Sequence, residues 1–282
     1  YNGKFTANFS GAYKDKLYLG MNMNFHFTDY VRTSSLYESN LNPFYTTGFS
    51  IDTARFNNEV YTYGSGFALN FGAIYKATDN VRVGLAYETP TWYRLNDELT
   101  QSISSNYYDA ATTFTTEAYI NPNVVNVYPT YKIQTPSKLT ASGTVLFGKK
   151  GLLSVDYISK NYSKTKFKPS SENIYSSLNT QIKNELENTY ELRVGGEYKI
   201  KQWSLRGGYR FEQSPYKVDL AFGDLFSYSG GLGYNFGKSK LDISYTNEHR
   251  ARTETLLTSG LNDTARIKNN NNNVTLTYVV NF

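Results

Sequence analysis

The 282-residue chain contains no cysteine, two histidines and seven prolines. Without cysteine there is no disulfide framework and no thiolate chemistry. The histidines, His26 and His249, stand in separate segments. No His, Asp or Glu cluster has metal-ligand spacing, and nothing has the pattern of a Ser/His/carboxylate hydrolase. Long apolar runs are also missing, so the chain has no segment near the roughly 18 residues a membrane-crossing helix needs. Its mean hydropathy is −0.53. Charge is nearly balanced, 29 basic against 24 acidic residues for a net +5, and it is spread along the chain, which gives no case for a nucleic-acid partner. Gly230-Gly231-Leu232-Gly233 does not open a helix and is not a phosphate loop. No cofactor motif is legible, and the reading is not that of an enzyme. Tyr1-Asn2-Gly3-Lys4 has no hydrophobic leader core, so a removed leader or a fragment is expected.

What the chain has instead is aromatic residues, 27 Tyr and 17 Phe, in period-two alternation. Phe5, Ala7, Phe9, Gly11 and Tyr13 share one parity. After Lys14-Asp15-Lys16, so do Leu17, Leu19, Met21, Met23, Phe25 and Phe27. Alternation of this kind gives a strand one greasy and one mixed face. It recurs through Tyr61–Tyr75, Val81–Tyr87, Leu139–Phe147, Leu153–Tyr157, Tyr190–Tyr198, Trp203–Phe211, Tyr228–Phe236 and Leu241–Tyr245, and ends in Val274, Leu276, Tyr278, Val280 and Phe282. About eleven strands result. Short polar turns alternate with long connections, five of each. The first two connections, Asp29–Asn58 and Asn96–Pro136, read as irregular loops, and the third contains a helix with Ile174, Leu178, Ile182 and Leu186 at spacing four. Tyr13, Tyr75, Phe147, Tyr198, Trp203, Phe236 and Phe282 lie on the apolar parity beside the short turns, as an interfacial aromatic girdle would.

Low hydropathy with apolar faces, alternating turn lengths and a girdle predict an all-β, antiparallel transmembrane β-barrel. An edge strand of a soluble sandwich is the competing reading of the last segment, but such a fold has no reason to place outward aromatics at nearly every turn. Eleven is an odd count for a closed bacterial barrel, so a larger barrel lacking its first part is expected. The ending on Phe282 resembles the terminal strand of bacterial outer-membrane barrels, where a final Phe helps to engage the insertion machinery.

The run Gly72-Ala73-Ile74-Tyr75-Lys76-Ala77-Thr78-Asp79-Asn80-Val81-Arg82-Val83-Gly84-Leu85-Ala86-Tyr87-Glu88-Thr89-Pro90 resembles a hairpin of the FadL-type long-chain fatty-acid transporters. Thr135-Pro136-Ser137-Lys138-Leu139-Thr140 and Leu153-Ser154-Val155-Asp156-Tyr157 are similar to their next hairpin. The resemblance implies the C-terminal part of a 14-stranded barrel in a Gram-negative outer membrane, with an N-terminal hatch and the first three strands missing. It further implies passive uptake of hydrophobic compounds, long-chain fatty acids first and aromatic hydrocarbons second. Its alternative is a barrel of the same fold serving as scaffold or shuttle in a secretion complex. Membrane lipid and lipopolysaccharide are the expected surroundings.

The two longest connections carry many apolar residues for exposed segments. Leu36, Tyr37, Phe44, Tyr45, Phe49 and Phe56 in one, and Leu99, Ile103, Phe114 and Tyr119 in the other, are candidate substrate contacts, because such residues must pack on each other, a ligand or a partner. On the polar parity, Asp156, Glu191, Arg193, Glu197, Arg206, Arg210, Glu212 and Asp242 alternate in sign across neighbouring strands. That pattern predicts an ion-pair lattice. A second role for Arg193, Arg206 or Arg210 is to hold a ligand carboxylate. Lys160, Lys164, Lys166, Lys168, Arg250 and Arg252 share the inward parity at the long-loop end, where they would form a basic rim.

Overall fold

The computed structural model describes residues 1–41, 48–111, 114–218, 222–255 and 263–280. Eleven strands match the expected set: β1 (Asn2–Tyr13), β2 (Leu17–Ser39), β3 (Phe49–Lys76), β4 (Val81–Glu88), β9 (Lys138–Leu146), β10 (Gly151–Asn161), β12 (Asn188–Ile200), β13 (Trp203–Glu212), β14 (Phe222–Asn235), β15 (Ser239–Thr255) and β16 (Thr264–Val280). Five more lie in the long connections: β5 (Trp92–Asp109), β6 (Phe114–Ile120), β7 (Val125–Val127), β8 (Tyr131–Gln134) and β11 (Lys166–Lys168). All belong to one sheet, in which β3, β4, β9, β10, β12, β13, β14, β15 and β16 are successive neighbours. The helix expected in the third connection is α1 (Asn173–Glu185), with Leu186 as its C-terminal cap.

The short turns are made by residues that accept unusual backbone. Lys14 and Asp15 both take positive φ, 49° and 52°, and the Lys16 amide donates to the Tyr13 carbonyl at 3.1 Å, which reverses the chain with the strand twist. Gly148 and Gly237 supply positive φ of 57° and 93° in two others. In the β3–β4 turn the Thr78 hydroxyl accepts from the amides of Asn80 and Val81 at 3.2 and 3.0 Å.

Two compact units make up the chain. One comprises Tyr1–Phe5, Phe25–Phe67 and Tyr93–Ile133, the other Thr6–Asn24, Ala68–Trp92 and Gln134–Phe282. The second unit inverts the usual arrangement of a soluble domain. Among the described residues only Ala68, Leu95 and Ile158 are buried apolar side chains in the whole protein, whereas Asn24, Thr189, Glu191, Ser204, Ser214 and Ser227 are buried and polar. Leu276 is 68 % and Phe147 54 % exposed. Tyr13, Tyr75, Tyr198, Trp203 and Phe236 are exposed too, and Trp203, Tyr234 and Phe236 stack edge to face at 4.7 Å. An apolar face this complete is stable only against lipid. The expected girdle is present on the described residues; Phe282 and its proposed contact with the insertion machinery lie outside them.

The first unit corrects the sequence reading. Asp29–Asn58 and Asn96–Pro136 are largely ordered strands, not irregular loops: β2 runs on to Ser39, β3 starts at Phe49, and β5 to β8 fill most of the other segment. Tyr30, Val31, Thr33, Tyr37, Tyr107 and Tyr119 have high β propensity. Both faces of these strands are mixed, so the period-two signal that lipid imposes is absent, and the backbone ladder is joined by polar side-chain contacts such as Asn57–Ser102 and Thr62–Asp97.

Candidate functional site

The register of the second unit brings the predicted inward charges onto one face. Asp156 is opposite Arg193; Glu191, Arg193 and Glu197 are opposite Glu212, Arg210 and Arg206. Directly opposed side chains share a face. Two ion-pair clusters form there. In the one nearer the short turns, Arg206 donates from Nε to Glu197 and from Nη1 to Asp242, each at 2.6 Å. Lys199 and Lys240 lie 3.3 and 3.1 Å from the same two carboxylates.

Glu191 is the hub of the other cluster. It is only 2 % exposed, and it accepts from Arg193 Nε at 2.6 Å and Arg210 Nε at 2.7 Å, with Lys160 Nζ at 3.7 Å. Arg210 also reaches Glu212 at 2.5 Å and Glu248 at 3.6 Å. Arg250 lies 3.6 Å from Glu212 and 4.5 Å from the centre of the Phe222 ring. Tyr162, in the connection after β10, is close enough to feel these charges: burial, then the Glu212 carboxylate, raises its phenol above the ordinary tyrosine value. The lattice predicted from alternating sign is therefore built from seven of its eight expected members; Asp156 stands opposite Arg193, but Arg193 pairs with Glu191 instead. Glu248, Lys199 and Lys240 complete it; their parity with Asp242 and Glu197 was the signal that could have found them.

Between the clusters runs a row of small residues, Ser154, Gly195, Gly208, Ser229 and Thr246, matched strand to strand. They floor a cavity of about 710 Å³ with Arg193, Arg206, Arg210 and Glu248 on its edges. Of the three candidate arginines, Arg206 and Arg210 each share their guanidinium between two or more carboxylates. Among the described residues Arg193 makes a single ion pair, and its side chain is 49 % exposed.

The apolar candidates lie in the first unit. Asn57 and Asn58 hydrogen-bond to Ser102 and Gln101 at 3.3 and 2.6 Å, a register that puts Phe56 opposite Ile103. Ile103 is opposite Ile120 on β6. On the other side, the Asn40 amide donates to the Asp52 carbonyl at 2.7 Å and Arg55 covers the Tyr37 ring at 5.6 Å, which puts Leu36 opposite Phe56. Leu36, Phe56, Ile103 and Ile120 thus form one apolar row across four strands, all exposed. Leu99 shares its parity with Ile103 on β5 and sits opposite Asn126. Tyr37 and Tyr119, the latter opposite Ser104, fall on the reverse face. Phe49 packs edge-on against Tyr107 at 5.7 Å. Phe114 opens β6 opposite Asp109, while Phe44 and Tyr45 lie outside the described residues.

Comparison with known proteins agrees with this architecture. No curated protein matches the sequence. Among solved structures, the Pseudomonas putida toluene transporter TodX superposes with a TM-score of 0.58 at 16 % identity, over 99 % of this chain and 69 % of its own. The Ralstonia pickettii toluene transporter TbuX gives 0.53 at 18 %, over 99 % and 66 %. The CymD monoaromatic hydrocarbon channel gives 0.54 at 16 %, over 99 % and 72 %. The chain thus spans roughly two thirds to just under three quarters of these structures and shares their fold. Residues 3–282 match the family described as outer membrane protein transport protein (OMPP1/FadL/TodX), and the chain belongs to that family of Gram-negative outer-membrane transport proteins.

Proposed function

We propose that this protein admits hydrophobic small molecules through the outer membrane by passive diffusion, with long-chain fatty acids as the first class and monoaromatic hydrocarbons as the second. The observation that carries the reading is the exposed apolar row Leu36–Phe56–Ile103–Ile120. A solvated extracellular sheet has no use for four aligned apolar side chains unless something greasy lies on them. Captured substrate passes to the face bearing Arg193, whose uncommitted guanidinium edge suits a carboxylate. Arg206 and Arg210 act there as braces. Release follows through a hatch movement and a lateral opening of the wall in the full-length protein. The scaffold or shuttle role in protein secretion draws no support from the relatives.

Burying a 16-carbon tail at about 0.8 kcal/mol per methylene offers roughly 10 kcal/mol before ordering costs, enough for micromolar capture. The test is binding of a fluorescent fatty acid to the full-length, detergent-purified protein and its Phe56→Ser/Ile103→Ser double variant. Weaker binding with unchanged heat-modifiable gel mobility supports the capture row. Unchanged binding removes it.

A further inference from the structure

The lipid-facing parity of β15 and β16 changes character along the strands. On β16 it reads Val280, Tyr278, Leu276 and Val274, then Asn272 and Asn270, then Lys268 and Arg266. On β15, Leu241, Ile243 and Tyr245 give way to Asn247 and His249, which stand opposite Asn272 and Asn270. The neighbouring strand β14 keeps its exposed apolar face at the same register, with Tyr228 opposite Asn247 and Phe226 opposite His249. Hydrogen bonds join the polar patch into a ladder. Asn247 Nδ2 donates to Oδ1 of Asn270 and Asn272 at 2.6 and 2.9 Å, and the Tyr245 hydroxyl donates to Asn272 Oδ1 at 2.7 Å.

Depth identifies what lies beside this patch. Val280 to Asn270 is a step of ten residues, about 33 Å along a strand. At a tilt near 40° that is about 25 Å of height, the height of the apolar band of an outer-membrane barrel. Asn272 and Asn270 thus lie at the upper edge of the acyl layer, on the side of the long extracellular connections. Lys268 and Arg266, both exposed, follow one and two outward positions beyond, at the level of the headgroups. Neither cation belongs to an ion pair among the described residues, and Ala251 and Thr253 stand opposite them. The inward cations of β15 differ: Arg250 and Arg252 lie 3.6 and 3.3 Å from Glu212 and Glu254. A cavity of about 380 Å³ opens beside Arg266, among Phe226, His249, Ala251 and Thr253, in the range of small-molecule sites. Asp224, at its margin, already accepts from the Ser214 amide at 2.7 Å.

We propose that the outward face of β15 and β16 holds one molecule of lipopolysaccharide, with Arg266 and Lys268 on a phosphate of its glucosamine headgroup. The two side chains leave the same face of one strand about 7 Å apart at their bases, so both reach one phosphate, Arg266 as a planar fork and Lys268 as a point charge. The asparagine ladder beneath them meets the N-acyl amides and acyl hydroxyls of such a lipid. Those groups both donate and accept, as carboxamides do, whereas the ester oxygens of a glycerophospholipid only accept. This site follows from wall parity and outer-membrane residence and is independent of what passes through the barrel.

The experiment uses the full-length protein in phosphatidylcholine nanodiscs and measures binding of fluorescently labelled lipid A in its phosphorylated and dephosphorylated forms. The expected result is saturable binding, tighter for the phosphorylated form. R266Q/K268Q should weaken the phosphorylated form about tenfold to a hundredfold, the size of one lost charge-assisted contact, and leave the dephosphorylated form unchanged. R266K/K268R, which keeps both charges, should retain most of the preference. K149Q/K150Q, which removes two exposed cations at a short turn, should change nothing. Unchanged affinity in R266Q/K268Q, or an equal loss in K149Q/K150Q, overturns the site. Displacement by phosphatidylglycerol or by inorganic phosphate as effective as that by unlabelled lipid A reveals a general anion patch and overturns the assignment to lipopolysaccharide. An equal loss for both forms in R266Q/K268Q, with altered heat-modifiable mobility, means that the pair braces the fold and also overturns it.

Discussion

Glu191→Gln is the sharpest perturbation of the charged lattice, because it removes one charge and almost no volume. Glu191 is 2 % exposed and three cations converge on it. Arg210 keeps Glu212 and Glu248 after the change, so its loss is partial. Arg193 and Lys160 lose their only ion-pair partner among the described residues. Removing one member of a buried pair costs about 3–5 kcal/mol, whereas a single charge-assisted hydrogen bond is worth about 1.5–3 kcal/mol. Arg193 is half exposed and Lys160 about a quarter, so water recovers part of the difference. The expected destabilisation is therefore about 2–4 kcal/mol. Urea-dependent folding into lipid vesicles, followed by the fluorescence of Trp92 and Trp203, measures it, with an unchanged slope showing that the exposed surface is the same. A change below about 0.5 kcal/mol, the size of an ordinary surface substitution, would refute the reasoning. Replacing Glu191, Arg193, Arg210 and Lys160 together by apolar residues is a separate matter and can be neutral or stabilising.

Arg206→Leu should cost less, about 1–3 kcal/mol in the same folding assay, because Glu197 and Asp242 each keep a lysine and lie near water. A Cβ at Gly64 would run into the Arg94 carbonyl and the Leu95 backbone, while one at Gly207 meets nothing within 4 Å; Gly64→Ala should lower the yield of folded, heat-modifiable protein and Gly207→Ala should not. Tyr162 has its phenol raised by burial and by Glu212, so the folded state holds that proton more tightly than the unfolded chain. Its contribution to stability is full below the ordinary tyrosine value of about 10 and is lost as pH rises past it; Tyr162→Phe should flatten that alkaline fall in the urea midpoint.

The wall was legible because lipid enforces a strict contrast between faces. Tyr157, Leu192, Phe211 and Phe226 on one face and Asp156, Arg193, Arg210 and Ser227 on the other can be sorted by parity alone, and the register confirms the sorting. The ion-pair lattice was legible for the same reason. Asp29–Asn58 and Asn96–Pro136 were not, because Tyr30, Arg32, Glu38 and Arg55 mix polarity on both faces and leave no period to read. Parity also put Arg82 on the polar face, but it could not show that Lys76 stands opposite it. The apolar candidates were found as a set. Which of them align, Leu36, Phe56 and Ile103 with Ile120, depends on a register fixed by Asn57 and Asn58, and single-sequence reasoning has no access to that.

The most direct test of the account is uptake. The full-length protein, expressed in a Gram-negative host that lacks its own long-chain fatty-acid channel, should raise the initial rate of labelled fatty-acid uptake in a saturable way above that of an empty vector. The Phe56→Ser/Ile103→Ser variant, present at equal level and folded by gel mobility, should lower that rate. If neither labelled fatty acid nor labelled toluene enters faster than in the vector control, while the folded protein is present in the outer membrane, the assignment of hydrophobic uptake to this protein is contradicted.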